Sequence, residues 1–129
     1  MGTLGRQASN HKRILVADDD RIIREYLKTV LSRAGYEVIF AGDGEEALKL
    51  AASEHPALVL SDGLLPKLHG FQACKSIKSL ENPPKVIILT GVYTKPTYKY
   101  QVMNEYGADD FLNKPVDASQ LLQSIAQQL

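Results

Sequence analysis

The sequence predicts an α/β fold, a (βα)5 doubly wound parallel sheet, and three observations carry that expectation. Short runs rich in branched apolar residues recur at 14–17, 38–40, 57–60, 86–89 and 111–112, each too brief for a helix. Between them lie longer segments whose apolar residues fall three and four apart, bounded by residues that start or stop helices. Strands separated by single helices run parallel through right-handed crossovers, and the near-continuous runs at 57–60 and 86–89 suit strands covered on both faces.

Each element has its own reason. Residues 1–10 mix Gly, Ser, Thr and Gln without periodicity and read as a flexible tail or an expression scar, which leaves 11–129 as the folded domain. After the first strand, Ile22, Ile23, Tyr26, Leu27, Val30, Leu31 and Ala34 form an amphipathic stripe that stops at Gly35, a left-handed helix end. Asp43 with Glu46 three residues on caps a second helix, whose Ala47, Leu48 and Ala51 share a face. Phe71, Cys74 and Ile77 mark a third, stopped by Asn82-Pro83-Pro84. Pro96, then Val102, Met103 and Tyr106 before Gly107, mark a fourth. Asp117 and Gln120 cap the last, with Leu121, Leu122, Ile125 and Leu129 facing inward.

With 129 residues and 44% hydrophobic content, the chain fits one domain with a core of ordinary size. Fifteen basic residues balance 15 acidic ones, which gives no electrostatic case for direct nucleic-acid binding or for an anionic membrane. Cys74 is the single cysteine, and no apolar stretch approaches a membrane span or a signal-peptide core, so a reducing, cytoplasmic setting is expected.

In doubly wound sheets ligands sit beyond the carboxyl ends of the strands. Those ends carry Asp18 and Asp19 after the first strand, Asp62 after the third, Thr90 after the fourth and Lys114 after the fifth. Carboxylates crowded at a strand mouth repel one another unless a cation or a proton is shared among them. A hard, oxygen-seeking ion, Mg²⁺ above all, is the natural partner. Three carboxylates and one ammonium leave the site at a charge of about minus two, which a divalent ion cancels, and the empty site should push at least one carboxyl pKa upward. A carboxylate is also a competent nucleophile toward phosphorus once the equatorial oxygens are neutralised. Asp62, alone on the central strand, fits that role, with Lys114 and Thr90 placed to meet phosphoryl oxygens.

Four segments together resemble the receiver domain of bacterial two-component response regulators, the CheY-like family. They are Ile14-Leu15-Val16-Ala17-Asp18-Asp19-Asp20, then Leu58-Val59-Leu60-Ser61-Asp62 with Pro66 and Gly70 beyond. Val86-Ile87-Ile88-Leu89-Thr90-Gly91 and Gly107-Ala108-Asp109-Asp110-Phe111-Leu112-Asn113-Lys114-Pro115 complete the set. The resemblance implies the family's flavodoxin-like strand order 2-1-3-4-5. It implies Asp62 as phosphoacceptor, Asp19 as a direct Mg²⁺ ligand, Asp18 acting largely through water, and the Leu64 carbonyl as a further ligand. It makes Thr90 and Phe111 a switch pair that reshapes the surface of the fourth helix, fifth strand and fifth helix, and it makes Lys114-Pro115 a cis bond. The implied partners are a histidine kinase or phosphotransfer protein upstream and an output partner or domain downstream, with phosphorylation-linked dimerisation left open.

Some residues depart from the family pattern or carry plain readings. The segment from Thr90 to Gly107 runs about two residues longer than the family pattern and holds Tyr93, Tyr98, Tyr100 and Tyr106, of which two are expected inward and two on the surface. His69 is expected as a solvent-exposed loop residue and Cys74 as a packed core thiol. Asp20 either caps the first helix or adds charge to the metal shell. Leu64 and Val92 cannot orient an attacking water, so a slowly hydrolysed acyl phosphate is expected. Three rival classes are a phosphatase of the haloacid dehalogenase type using Asp18 and Asp20, a docking module without phosphorylation, and a flavin carrier. The absence of a cap domain, the complete site and the acidic first loop weigh against them in turn.

Overall fold

The structure, a computed structural model, describes residues 13–65, 67–91 and 95–129. The expected tail at 1–10 and the positions of Pro66, Val92 and Tyr93 lie outside the described residues. In chain order the elements are β1 (Arg13–Ala17), α1 (Arg21–Arg33), β2 (Glu37–Ala41), α2 (Gly44–Glu54) and β3 (Leu58–Asp62). They continue as α3 (Gly70–Lys78), β4 (Lys85–Thr90), α4 (Pro96–Asn104), β5 (Asp110–Asn113) and α5 (Ala118–Gln128). The sheet is parallel throughout, in the order β2-β1-β3-β4-β5.

Period-two alternation sorts the strand residues into two cores. Ile14, Val16, Leu58, Leu60, Ile87, Leu89 and Leu112 face α1 and α5, meeting Leu27, Leu31, Leu121 and Ile125. Leu15, Val59, Val86, Ile88 and Phe111 face the other way, against Ala47 and Ala51 of α2, Cys74 and Ile77 of α3 and Val102 of α4. Both faces are covered, as the continuous apolar runs required. The edge strand β2 is half-exposed along most of its length.

Helix ends follow local chemistry. The Asp20 carboxylate accepts hydrogen bonds from the N–H groups of Ile22 and Ile23, so it caps α1. The Asp43 carboxylate accepts from Glu46 N–H at 2.8 Å, while the Glu46 carboxylate reaches back to accept from Gly42 N–H. Gly35, with φ of +93°, ends α1 in the left-handed region. The Lys114-Pro115 bond is cis.

The chain packs tightly where α3 begins. A Cβ added at Gly70 would stand 2.1 Å from the Asp62 carbonyl oxygen, a backbone atom that cannot rotate away. Gly70→Ala is therefore expected to destabilise the protein by about 3 kcal/mol, the upper part of the range for overpacking. Gly42→Ala is the control, since its Cβ would meet nothing closer than Arg24 Nη1 at 4.0 Å. Urea unfolding should show a lower midpoint for the first variant and none of comparable size for the second. Equal midpoints would refute this account of the contact.

Candidate functional site

Strand order brings the site together. The connection out of β1 crosses to β2 on one side, while β3 returns to pair with β1 on the other, so the strand order reverses between β1 and β3. Ala17 lies opposite Ser61 in that pairing, which sets Asp18 and Asp62 side by side. The ladders run one residue past the strand ends: Asp18 N–H donates to the Ala41 carbonyl, Gly63 N–H to Leu89, and Lys114 N–H to Thr90 at 2.8 Å. These bonds hold the backbone of both acidic turns and of the lysine.

Lys114 Nζ stands 3.0 Å from Asp18 Oδ2 and 3.4 Å from Asp62 Oδ2, so one ammonium bridges two carboxylates. Asp18 is only 2% exposed, and its other oxygen accepts from Asp20 N–H at 2.8 Å. Asp19 is exposed. Asp62 Oδ1 accepts from Leu64 N–H at 3.1 Å. Burial pushes the Asp62 carboxyl above its ordinary value, and the Asp18 charge adds to this; the Leu64 N–H and Lys114 pull the other way without cancelling it. For Lys114, burial works to lower the pKa, but the hydrogen bond and charge of Asp18 together with Asp62 outweigh it and the group is raised.

One oxygen from each of Asp18, Asp19 and Asp62 can be chosen so that all three lie within 4.8 Å of one another. That spacing and the hard oxygen donors suit Mg²⁺, and one ammonium among three carboxylates leaves an excess of negative charge for it to cancel. Thr90 closes β4 fully buried, and the Phe111 ring is buried beside it on the neighbouring strand, where Ile88 pairs with Phe111 and Thr90 with Asn113.

The other singled-out residues divide. His69 is not a free loop residue: it is half-buried, caps α3 by accepting the Phe71 N–H on Nδ1 at 3.2 Å, and stands edge-on to the Phe71 ring. A histidine rarely caps a helix, so nothing in its sequence neighbourhood marked the role. Cys74 is a core thiol, donating to the Tyr106 carbonyl, with burial pushing its pKa up to about 12. Tyr98 and Tyr106 pack against the core while Tyr100 is 72% exposed. The Asp20 carboxylate caps α1 through Oδ1, which settles the two readings of that residue on the cap and weighs against its use as the second aspartate of a phosphatase. Asp109 was unmarked as a pivot, yet it takes Lys78, Lys85 and the Val86 N–H and so ties α3, β4 and β5 together.

This constellation, an acidic cluster bridged by one ammonium at the switch point of a 2-1-3-4-5 sheet, places the chain among the doubly wound α/β proteins whose site lies beyond the carboxyl ends of the strands. The sequence matches the response regulator receiver domain over residues 14–126, and the chain belongs to that family. It is 42% identical over 112 residues to the probable transcriptional regulator ycf27 of Cyanophora paradoxa, covering 87% of this chain and 46% of that protein. The chain spans less than half the length of the curated relatives it matches. The receiver domain of Francisella response regulator 1452 superposes with a TM-score of 0.84 at 29% identity, covering 91% of this chain and 95% of that one. A Burkholderia pseudomallei response regulator, solved with a phosphorylated aspartic acid, a calcium ion and citrate, gives 0.79 at 31% identity, covering 88% and 66%. No helix among the described residues is long and apolar enough to cross a membrane.

Proposed function

We propose that this receiver domain accepts a phosphoryl group on Asp62 from a phosphohistidine donor, a histidine kinase or a phosphotransfer protein, in a Mg²⁺-dependent reaction. The observation that carries it is the Lys114 ammonium shared between Asp18 and Asp62 at the tip of the central strand. An Asp62 carboxylate oxygen forms the new P–O bond as the P–N bond of the donor breaks and the imidazole leaves with its electron pair. Lys114 moves with the charge, from the carboxylate to a phosphoryl oxygen, and Thr90 donates its hydroxyl to another. Asp18, Asp19, Asp62 and the Leu64 carbonyl would hold Mg²⁺, which would supply positive charge for the phosphoryl oxygens. The domain catalyses only its own phosphorylation and dephosphorylation.

Once formed, the acyl phosphate biases the Thr90–Phe111 pair and through it the α4–β5–α5 face. Inverting a population from about 1:99 to 99:1 takes roughly 5.5 kcal/mol of differential stabilisation. Charge-assisted bonds to Lys114 and Thr90 are its source. The names of the relatives include transcriptional regulation; the balanced charge of this chain gives no electrostatic case for direct nucleic-acid binding, and we assign it none.

Intact-mass analysis after incubation with Mg²⁺ and acetyl phosphate tests the proposal. One phosphoryl adduct is expected, absent with a chelator and persisting well beyond seconds after donor removal, because Leu64 at the site is apolar. Folded protein that takes no adduct from this donor or from a phosphorylated kinase would overturn it and leave a docking module.

A further inference from the structure

The first turn of α3 is held by a group that titrates near neutrality. The residue before a helix ordinarily accepts one of its free N–H groups on a carboxylate or hydroxyl oxygen. Here His69 fills that place, with Nδ1 accepting the Phe71 N–H at 3.2 Å while its carbonyl accepts the Ala73 N–H at 2.8 Å. Only a ring nitrogen with a free lone pair can accept an N–H, so the bond fixes the neutral imidazole with its proton on Nε2. A proton added at Nδ1 turns the acceptor into a donor facing a donor, and sets a positive charge at the positive end of the helix. Both effects oppose the cap.

What the cap holds in place lies directly under the acidic turn after β3. A Cβ on Gly70 would stand 2.1 Å from the Asp62 carbonyl oxygen and 2.9 Å from Gly63 Cα. A Cβ on Gly63 would stand 3.0 Å from Phe71 Cε1 and 3.3 Å from Thr90 Cβ, so the ring edge, the glycine and the buried threonine form one packed row. The imidazole stands edge-on to Phe71 with centroids 5.0 Å apart. His69 therefore bears on the turn from Asp62 to Leu64 through Phe71 and Gly70.

The other charged and titratable groups around this turn come from several elements. Asp43, which caps α2, pairs with Lys67 at 3.5 Å, and the Glu46 N–H holds its carboxyl below the ordinary value, so it stays ionised near neutrality. Tyr106, after α4, lies beyond the Phe71 ring at 5.6 Å, and Cys74 of α3, pushed up to about 12, is a neutral thiol. Lys114 and Asp62 stand at the strand ends, and Asp62, raised by burial, titrates upward toward the histidine range. That titration is common to the parent and to any variant at position 69.

We propose that His69 is a pH-dependent positioning residue: its neutral ring, as the cap of α3, seats Phe71 and Gly70 beneath the Asp62 turn, and its protonation unseats them and slows phosphoryl transfer. The slowed transfer rests on the function proposed above, whereas the titrating cap is a property of the metal-free fold.

Two measurements from about pH 5 to 8, the range in which histidine changes charge, test the proposal on the full chain. One is amide hydrogen exchange at Phe71 without metal, and the other is the initial rate of adduct formation with Mg²⁺ and acetyl phosphate. Both are made on the parent, on His69→Asn, a strong cap that does not titrate, and on His69→Ala, which has no cap. The ratio of parent to His69→Asn cancels the titration of Asp62, of His11 and His55, and of the donor. At about pH 8 the two should agree within about twofold in protection and rate, and at about pH 5 the parent should fall about fivefold below, the factor that one cap represents. His69→Ala should lie below His69→Asn by a factor independent of pH. An exchange ratio that is flat with pH would overturn the titrating cap, and a flat rate ratio beside a titrating exchange ratio would overturn the coupling to Asp62. No adduct on any of the three proteins at any pH would overturn the proposed function and the slowed transfer, while the exchange ratio would still judge the cap.

Discussion

Asp62→Asn is expected to abolish the phosphoryl adduct while leaving the fold intact and, in metal-free buffer at neutral pH, more stable than the parent. An amide oxygen can still accept the Leu64 N–H, but it is no nucleophile toward phosphorus at any useful rate. The stability gain follows from the raised Asp62 pKa, whose main cause is burial. A carboxyl that holds its proton more tightly folded than unfolded contributes stability in full below its ordinary value of 3.8. That contribution is lost as the pH rises through the raised folded value. Asparagine stays neutral across the window, so the variant should melt higher than the parent above it, and the advantage should vanish in acid. Saturating Mg²⁺ should reverse the order by stabilising the parent more. A retained adduct would move the phosphoacceptor elsewhere, and a variant less stable than the parent in metal-free buffer at neutral pH would contradict the electrostatic account.

Lys114→Met should slow adduct formation on the order of 100-fold, the cost of removing one preorganised donor from a developing anion. It should also cost about 3 kcal/mol of stability without metal, because Asp18, almost wholly buried, loses the ammonium 3.0 Å away. Mg²⁺ should restore part of the stability and little of the rate. The parent's Lys114 contribution should persist through neutral pH and be lost only in strong alkali, since its folded pKa lies above 10.5. Pre-steady-state mass analysis and urea unfolding with and without Mg²⁺ measure both effects. A rate within about threefold of the parent would remove Lys114 from the transfer step.

Much of this was legible in the chain because the determinants are local or periodic. Short, branched apolar runs fixed the strands, spacings of three and four fixed the helices, and Asp43 and Asp117 marked helix starts through bonds to their own neighbours while Gly35 marked an end through its positive φ. Asp18, Asp62 and Lys114 could be picked out because they follow apolar runs, and strand ends in a parallel sheet share one rim. The segment around α4 was harder to read: Val102 alone of its residues is buried, so its apolar stripe was faint. His69 was misplaced for a different reason, its capping bond being a matter of how the chain enters α3. Asp20 had two readings until its oxygen was seen bonded to α1.

By itself, then, the sequence determined which side chains could do chemistry and in which elements they sit, since patterning and caps act over a few residues. Only the tertiary structure decided that one Lys114 ammonium spans Asp18 and Asp62 and that Gly70 presses on the Asp62 carbonyl. Those relations join positions far apart in the chain, and their distances are set by strand order and helix packing, which no local pattern encodes.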